Sequence, residues 1–251
     1  MRPILFHVGS FPIHAWGVMA LIAFAAAGAV LGSELHRHGF VRGDALTLVA
    51  AAAFGGLAGA KLYYLAEHAA HSPGTVSGSG FSWYGGVMGG AIAVLITAWR
   101  LRIPTAVLLG SAAPALALGY GIGRIGCQLA GDGTYGVAST LPWAMTYPHG
   151  AVPTTIAVHP TPVYETLAML LIFAVLWRLR RHVAPTRLFA IYLILAGTER
   201  LLVELIRRND HVLLGLTQPQ LWSVALVGAG AVVLVQTRGA RPAVAARPAT
   251  G

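Results

Sequence analysis

Arg200 and Glu204 stand at i and i+4 in Glu199-Arg-Leu-Leu-Val-Glu-Leu-Ile-Arg207, and Arg207 falls one turn further along the same helical face. Upstream, Arg124 is followed by Cys127, Gln128, Asp132 and Tyr135, and His159 and Glu165 bracket the stretch His-Pro-Thr-Pro-Val-Tyr-Glu. Each group has a chemistry. A guanidinium is a planar fork that grips phosphate through two parallel hydrogen bonds. Carboxylates orient such forks, and a thiolate is a nucleophile.

Each group also has a plainer reading. Arg200 and Glu204 make a helix-face ion pair. His159 suits a loop or a helix cap, Pro160 and Pro162 suit the first turn of a helix, and Glu165 in that turn favours the dipole. That structural role outweighs catalysis for His159 and Glu165 at this level. Cys127 is better read as packing than as a nucleophile. As the single cysteine, it excludes an intrachain disulfide and a cysteine-cluster metal site. Lys61 snorkels or pairs with Glu67, and no chemistry is assigned to it.

The elements that must carry these residues are apolar. The 251 residues are 56% hydrophobic and 10% charged, with a mean hydropathy of +0.69; a soluble domain carries about 25% charged residues. This excludes a soluble enzyme, a disordered chain and a nucleic-acid-binding domain, despite a pI near 10.4. Runs nearly free of charge recur at Ala15–Ser33, Ala45–Ala66, Gly85–Trp99, Ile103–Gly123, Thr161–Trp177, Leu188–Thr198 (extended by a charged tail to about Ile206) and Val212–Thr237. About 20 apolar residues cross ~30 Å of hydrocarbon. The expectation is an all-α polytopic membrane protein of about seven transmembrane helices, with an external loop region between helices 4 and 5, from Arg124 to Pro160. The N-terminus does not read as a removable signal peptide.

Arginine placement sets the orientation. Of the 17 basic residues only Lys61 is lysine. With the N-terminus outside, 11 arginines fall in cytoplasmic segments, against Arg2, Arg124, Arg207 and Arg208 outside. The cytoplasmic ones are explained by topology and lipid head groups. The rest are not. An ionised side chain inside a span costs roughly 2.5–3.5 kcal/mol, so Arg124, Arg200 and Glu204 need a reason. Arginines from two helices meeting near the outer leaflet point to a phospholipid head group as ligand.

Glycine pairs at small-xxx-small spacing, Gly55 and Gly59, Gly85 and Gly89, Gly86 and Gly90, Gly119 and Gly123, predict close helix packing. Gly121–Gly126 also matches G-x-G-x-x-G, but no strand precedes it, so packing and a helix break are expected there instead of a nucleotide fold.

Five stretches carry a family resemblance in order along the chain: His14-Ala-Trp-Gly-Val-Met-Ala-Leu, Phe81-Ser-Trp-Tyr-Gly-Gly-Val-Met-Gly-Gly90, Gly121-Ile-Gly-Arg-Ile-Gly-Cys-Gln-Leu-Ala-Gly-Asp-Gly-Thr-Tyr-Gly136, His159-Pro-Thr-Pro-Val-Tyr-Glu165 and Glu199–Arg207. Together they resemble the prolipoprotein diacylglyceryl transferases. The resemblance implies a bacterial inner (cytoplasmic) membrane enzyme that needs no cofactor and no metal. Such enzymes move the diacylglyceryl group of phosphatidylglycerol to the thiol of a preprolipoprotein lipobox cysteine. It further implies catalytic roles for Arg124, Arg200, Tyr84 and Glu204. Substrate contacts fall to Arg124, Arg200, Asp132, His159, Glu165 and Arg207. Residues 1–237 then form one transmembrane catalytic domain, and 238–251 a disordered cytoplasmic tail.

The departures from the family pattern are specific. The signature's two asparagines are Cys127 and Ala130 here, its glutamate is Asp132, and a residue is inserted before Gly136. The family's histidine is Tyr84, and a phenol, with an ordinary pKa of about 10, is a poor base at neutral pH. Thiol activation then falls to Tyr84 helped by arginines, to His159, or to no enzyme base. These departures also motivate an alternative: a paralogue that binds anionic phospholipid without transfer. A small-solute transporter is a weaker third reading, since no internal repeat is evident.

Overall fold

The computed structural model describes residues 1–71 and 80–238. Among them are seven helices: α1 (Ala15–Arg37), α2 (Arg42–His71), α3 (Trp83–Arg100), α4 (Thr105–Ala130), α5 (Thr161–Leu179), α6 (Pro185–Glu204) and α7 (Gln218–Gln236). Five of them, α1, α2, α4, α5 and α7, are long and apolar enough to cross a membrane by length and composition. The other two fall short for different reasons. The 18-residue α3 is the shortest helix, and α6 carries Arg187, Glu199, Arg200 and Glu204 within its 20 residues. The protein is an all-α, multi-pass membrane protein. Large apolar side chains such as Leu21, Phe54 and Trp99 are exposed, as acyl chains in place of water allow. The expected tail from Arg238 onward lies outside the described residues except for Arg238 itself. So does most of the Gly- and Ser-rich loop between His71 and Tyr84.

The chain divides into two compact units. The unit Leu31–Leu108 is built on α2 and α3, whose backbones touch through the predicted glycines. A Cβ on Gly59 would overlap the Gly85 carbonyl oxygen and lie 2.8 Å from Gly89 Cα. One on Gly55 would overlap Ala93 and lie 2.8 Å from the Gly89 oxygen. Without side chains between them the two helices approach closely enough for dense van der Waals contact, the attraction that remains in lipid. Lys61 Nζ donates to the Gly80 carbonyl at 3.3 Å and lies over the rings of Tyr64 and Phe81. Tyr84 is the second residue of α3.

The other unit holds Met1–Val30 and the chain from Leu109. Here α1 and α4 run antiparallel, Gly126 resting on Trp16 and Met19 and Gly119 on Ala23 and Ala27. Gly121 lies against Thr166 and Met169 of α5, and Thr166 Oγ1 donates to the Gly121 carbonyl at 3.1 Å. Ala113, Ala117, Met169, Ile172, Leu176 and Leu188 form the buried core of α4, α5 and α6. Two glycine expectations fail. Helix α4 runs unbroken through Gly121–Gly126 to Ala130, and a Cβ on Gly123 would meet nothing within 4 Å. A helix interior supplies its own backbone hydrogen bonds in lipid, and glycine alone does not break one.

Three antiparallel hairpins sit at one end of this unit. They are β1 (Ile4–Val8) with β2 (Phe11–His14), β3 (Met145–Tyr147) with β4 (Thr154–Val158), and β5 (His211–Leu213) with β6 (Leu216–Thr217). None of them is expected from the sequence, whose last apolar span starts at Val212, inside β5. The expected loop of Arg124–Pro160 is therefore shorter and more ordered than its sequence indicates. Arg124 belongs to α4, and residues 131–160 fold around β3 and β4. Gly131 and Gly133 take left-handed φ of +58° and +84°, and Gly131 packs directly on Gly150.

Candidate active site

Glu165 is the fifth residue of α5, beyond the first turn, so the dipole role expected for it does not hold. Its side chain is wholly buried and collects cations. Oε1 lies 3.0 Å from Arg200 Nη1, 3.2 Å from Arg124 Nη2 and 3.5 Å from Arg207 Nη1, and accepts from the Tyr120 hydroxyl at 3.2 Å. Oε2 is buried without a hydrogen-bond partner. Arg124 comes from α4, Glu165 from α5, Arg200 from α6 and Arg207 from just beyond α6. One carboxylate oxygen thus gathers three arginines from separate segments.

Glu204 is the second carboxylate in contact with the cluster. Its Oε2 lies 2.9 Å from Arg200 Nη2 and 3.9 Å from Arg207 Nε, at ion-pair distance but without hydrogen-bond alignment. Its Oε1 accepts from Asn209 Nδ2 at 2.6 Å and from Thr217 Oγ1 at 2.8 Å. Thr217 in turn caps α7 in a capping box with Gln220. The i,i+4 pair read from sequence is therefore one edge of a network that also fastens the start of α7.

Three guanidiniums touch two carboxylates, and the carboxyl group of Glu199 is buried beside Arg200. Burial, and after it the charge of Arg200, push the Arg207 guanidinium below its ordinary range, and Arg124 adds to that repulsion. Each arginine keeps part of its side chain accessible, 17% for Arg124, 19% for Arg200 and 10% for Arg207. Exposed guanidinium edges are what an anionic oxygen needs.

The remaining candidate residues make none of these contacts to Glu165 or Glu204. Asp132 Oδ1 accepts from the Thr134 amide at 3.2 Å and hydroxyl at 2.7 Å, shaping the turn after α4. Thr161 Oγ1 donates to the Thr134 carbonyl at 2.6 Å, tying that turn to the first residue of α5. His159 does not cap α5; Pro160 holds that place. Its Nδ1 lies 3.4 Å from the Tyr164 hydroxyl, which also accepts from Trp143 Nε1 at 2.8 Å. With Ser139, Leu141 and Ile156, His159 lines an open cavity of about 530 Å³. Cys127 is buried, with Arg124 Nη1 3.9 Å from its sulphur. Tyr84 belongs to the other unit.

A model of the prolipoprotein diacylglyceryl transferases matches residues 3–236. The chain belongs to the prolipoprotein diacylglyceryl transferase family. It is 31% identical over 218 residues to the phosphatidylglycerol--prolipoprotein diacylglyceryl transferase of Clostridium tetani, covering 84% of this chain and 87% of that one. It is 34% identical over 253 residues to the enzyme of that name from Methylobacillus flagellatus, covering 93% and 95%. A third, from Bordetella avium, is 30% identical over 254 residues, at 94% of each chain.

Within this member of the family, two residues of the site are not among those expected from the sequence. Tyr120 looks like packing in an apolar helix, yet its hydroxyl joins Arg124 to Glu165. Glu199 is buried beside Arg200 with Oε1 unpartnered. The available signal for Tyr120 was its i,i+4 spacing to Arg124; for Glu199 it was one more charge within an apolar span. Among the described residues no three His, Cys, Asp or Glu side chains come together as a metal-ligand set.

Proposed function

We propose that this protein transfers the diacylglyceryl group of phosphatidylglycerol to the lipobox cysteine of a preprolipoprotein, the first step of lipoprotein maturation. The observation that carries the proposal is the convergence of Arg124, Arg200 and Arg207 on Glu165 in a chain of this family. The host is a bacterial cytoplasmic membrane, with the N-terminus and the hairpin end of the bundle facing outward.

The reaction is an alkyl transfer. The cysteine sulphur attacks the diacylglyceryl carbon that carries the phosphate ester, forming a C–S bond. The C–O bond breaks with its electron pair on the phosphate oxygen, and glycerol phosphate leaves. Arg124 and Arg200 bind the phosphate and, with Arg207 beside them, stabilise the charge that grows on it. Preorganised cations in a site of low dielectric supply the main catalytic contribution to such a step. Glu165 and Glu204 hold the guanidiniums in place before substrate arrives. Asp132 and His159 contact the polar parts of the substrates from the loop between α4 and α5. The thiol proton leaves to Tyr84, to His159 or to water; a thiol of ordinary pKa about 8.5 is already roughly a few per cent thiolate at pH 7.

The test is incubation of purified protein with phosphatidylglycerol and a lipobox peptide, followed by mass spectrometry. A thioether-linked diacylglyceryl peptide is the expected product, together with rescue of a strain depleted of its own transferase. Well-expressed protein that gives neither overturns the proposal, and binding of phosphatidylglycerol without product would leave the non-transferring paralogue.

A further inference from the structure

Tyr120 stands one helical turn before Arg124 on α4, and its ring packs against the core around Ala117 and Met169. Its hydroxyl has another task. It accepts from Arg124 Nη2 and donates to Glu165 Oε1 at 3.2 Å, while Arg124 Cζ lies 4.7 Å from the ring centroid. The two terminal nitrogens of Arg124 are therefore in different situations. Nη2 is taken up by Tyr120 and Glu165, whereas Nη1 meets the Cys127 sulphur at 3.9 Å, a weak acceptor. In Arg200, by contrast, Nη1 is committed to Glu165 and Nη2 to Glu204.

We propose that Tyr120 is a positioning residue for anion binding: its hydroxyl pins Arg124 Nη2 to one oxygen of Glu165, so that Nη1 stays available to the phosphate of the lipid substrate. The inference rests on reading the arginine cluster as a phosphate site. Its physical core is competition. Glu165 Oε2 is buried and has no hydrogen-bond partner, so it is the obvious second acceptor for a guanidinium fork. Without the hydroxyl, Arg124 turns both terminal nitrogens onto the carboxylate in a bidentate pair. That closes the fork against an incoming phosphate.

Tyr120→Phe keeps the ring, its packing and its face toward Arg124, and removes only the hydroxyl. Affinity for phosphatidylglycerol, with phosphatidylcholine as the neutral control, is read by native mass spectrometry of the protein in detergent. The expected result is about a tenfold weakening for phosphatidylglycerol, the scale of one charge-assisted hydrogen bond. In the transfer assay the KM for phosphatidylglycerol rises by a similar factor, the KM for the peptide does not move, and kcat changes little. A purely structural role would instead shift the unfolding temperature and lower the active fraction for both substrates alike. Adding Tyr120→Phe to Arg124→Ala should weaken binding no further, since the hydroxyl acts through that arginine. Wild-type affinity in Tyr120→Phe, or a further loss in the double variant, overturns the proposal. The two readouts keep the claims separate. Wild-type protein that binds phosphatidylglycerol without forming product ends the transferase reading, while Tyr120 is still judged by the affinity ratio. Wild-type protein that does not bind phosphatidylglycerol ends both.

Discussion

Oε1 of Glu165 lies 3.0 Å from Nη1 of Arg200, between helices that place the two residues 35 positions apart in the chain. The carboxylate is wholly buried, and Arg124 and Arg207 share the same oxygen. Glu165 is thus the common anchor of charges that would otherwise repel one another. An acid that looks like a helix-start residue in sequence is the centre of the cluster.

Replacing it should therefore do double damage. Removing one partner of a buried ion pair costs roughly 3–5 kcal/mol, because the remaining charges lose their compensation. Glu165→Gln is expected to lower the unfolding temperature in detergent and to abolish transfer. An unchanged unfolding temperature would show that the three arginines do not depend on this carboxylate.

Arg124→Ala and Arg200→Ala are expected to fold and to lose activity by about 10²–10³-fold, the scale of removing one preorganised charge from a transition state. Arg124→Lys should recover only part of it, since an ammonium keeps the charge but not the planar fork. Wild-type rates in both alanine variants would remove the phosphate clamp.

Tyr84→Phe tests the hydroxyl that stands where the family pattern has histidine. A general base contributes roughly 10²–10⁴-fold, so a loss of that size in kcat is expected if the phenol takes the thiol proton. Near-normal turnover assigns the proton to another acceptor.

Cys127 is buried, with Arg124 Nη1 3.9 Å from its sulphur. Cys127→Ala should keep near-wild-type activity, and thiol-blocking reagents applied to the wild-type enzyme alone should leave its activity unchanged. Loss of transfer in a folded Cys127→Ala protein would force a covalent role back into consideration.

The α2–α3 contact offers a structural test with an internal control. A side chain at Gly59 collides with the Gly85 carbonyl, and at Gly123 it meets nothing within 4 Å. Gly59→Leu should destabilise by about 1–3 kcal/mol, as overpacking does. Gly123→Ala should be neutral or stabilise by roughly 0.5–1 kcal/mol through its helix propensity. Thermal unfolding of both variants in detergent reads the difference, and equal behaviour would refute the packing assignment.

The sequence by itself determined the helices, because a bilayer demands long apolar runs and makes every intramembrane charge conspicuous. It also marked Gly55, Gly59, Gly85 and Gly89 as positions of close helix packing, since glycines four apart lie on one helical face, although which helices pair there was left to the structure. Arg200 and Glu204 were legible for the same reason: local spacing fixes them as neighbours. Beyond four residues that logic ends. The hairpins β1–β6 are short and leave no apolar period of their own, so they read as loop. Nothing local marks Glu165 as the acceptor for Arg124, Arg200 and Arg207, or Tyr120 as more than a core aromatic. Those assignments depend on how α4, α5 and α6 are rotated against one another. That rotation is set by the packing of small and large side chains across all three helices at once, and only the tertiary structure decides which buried atoms then come within 3.5 Å.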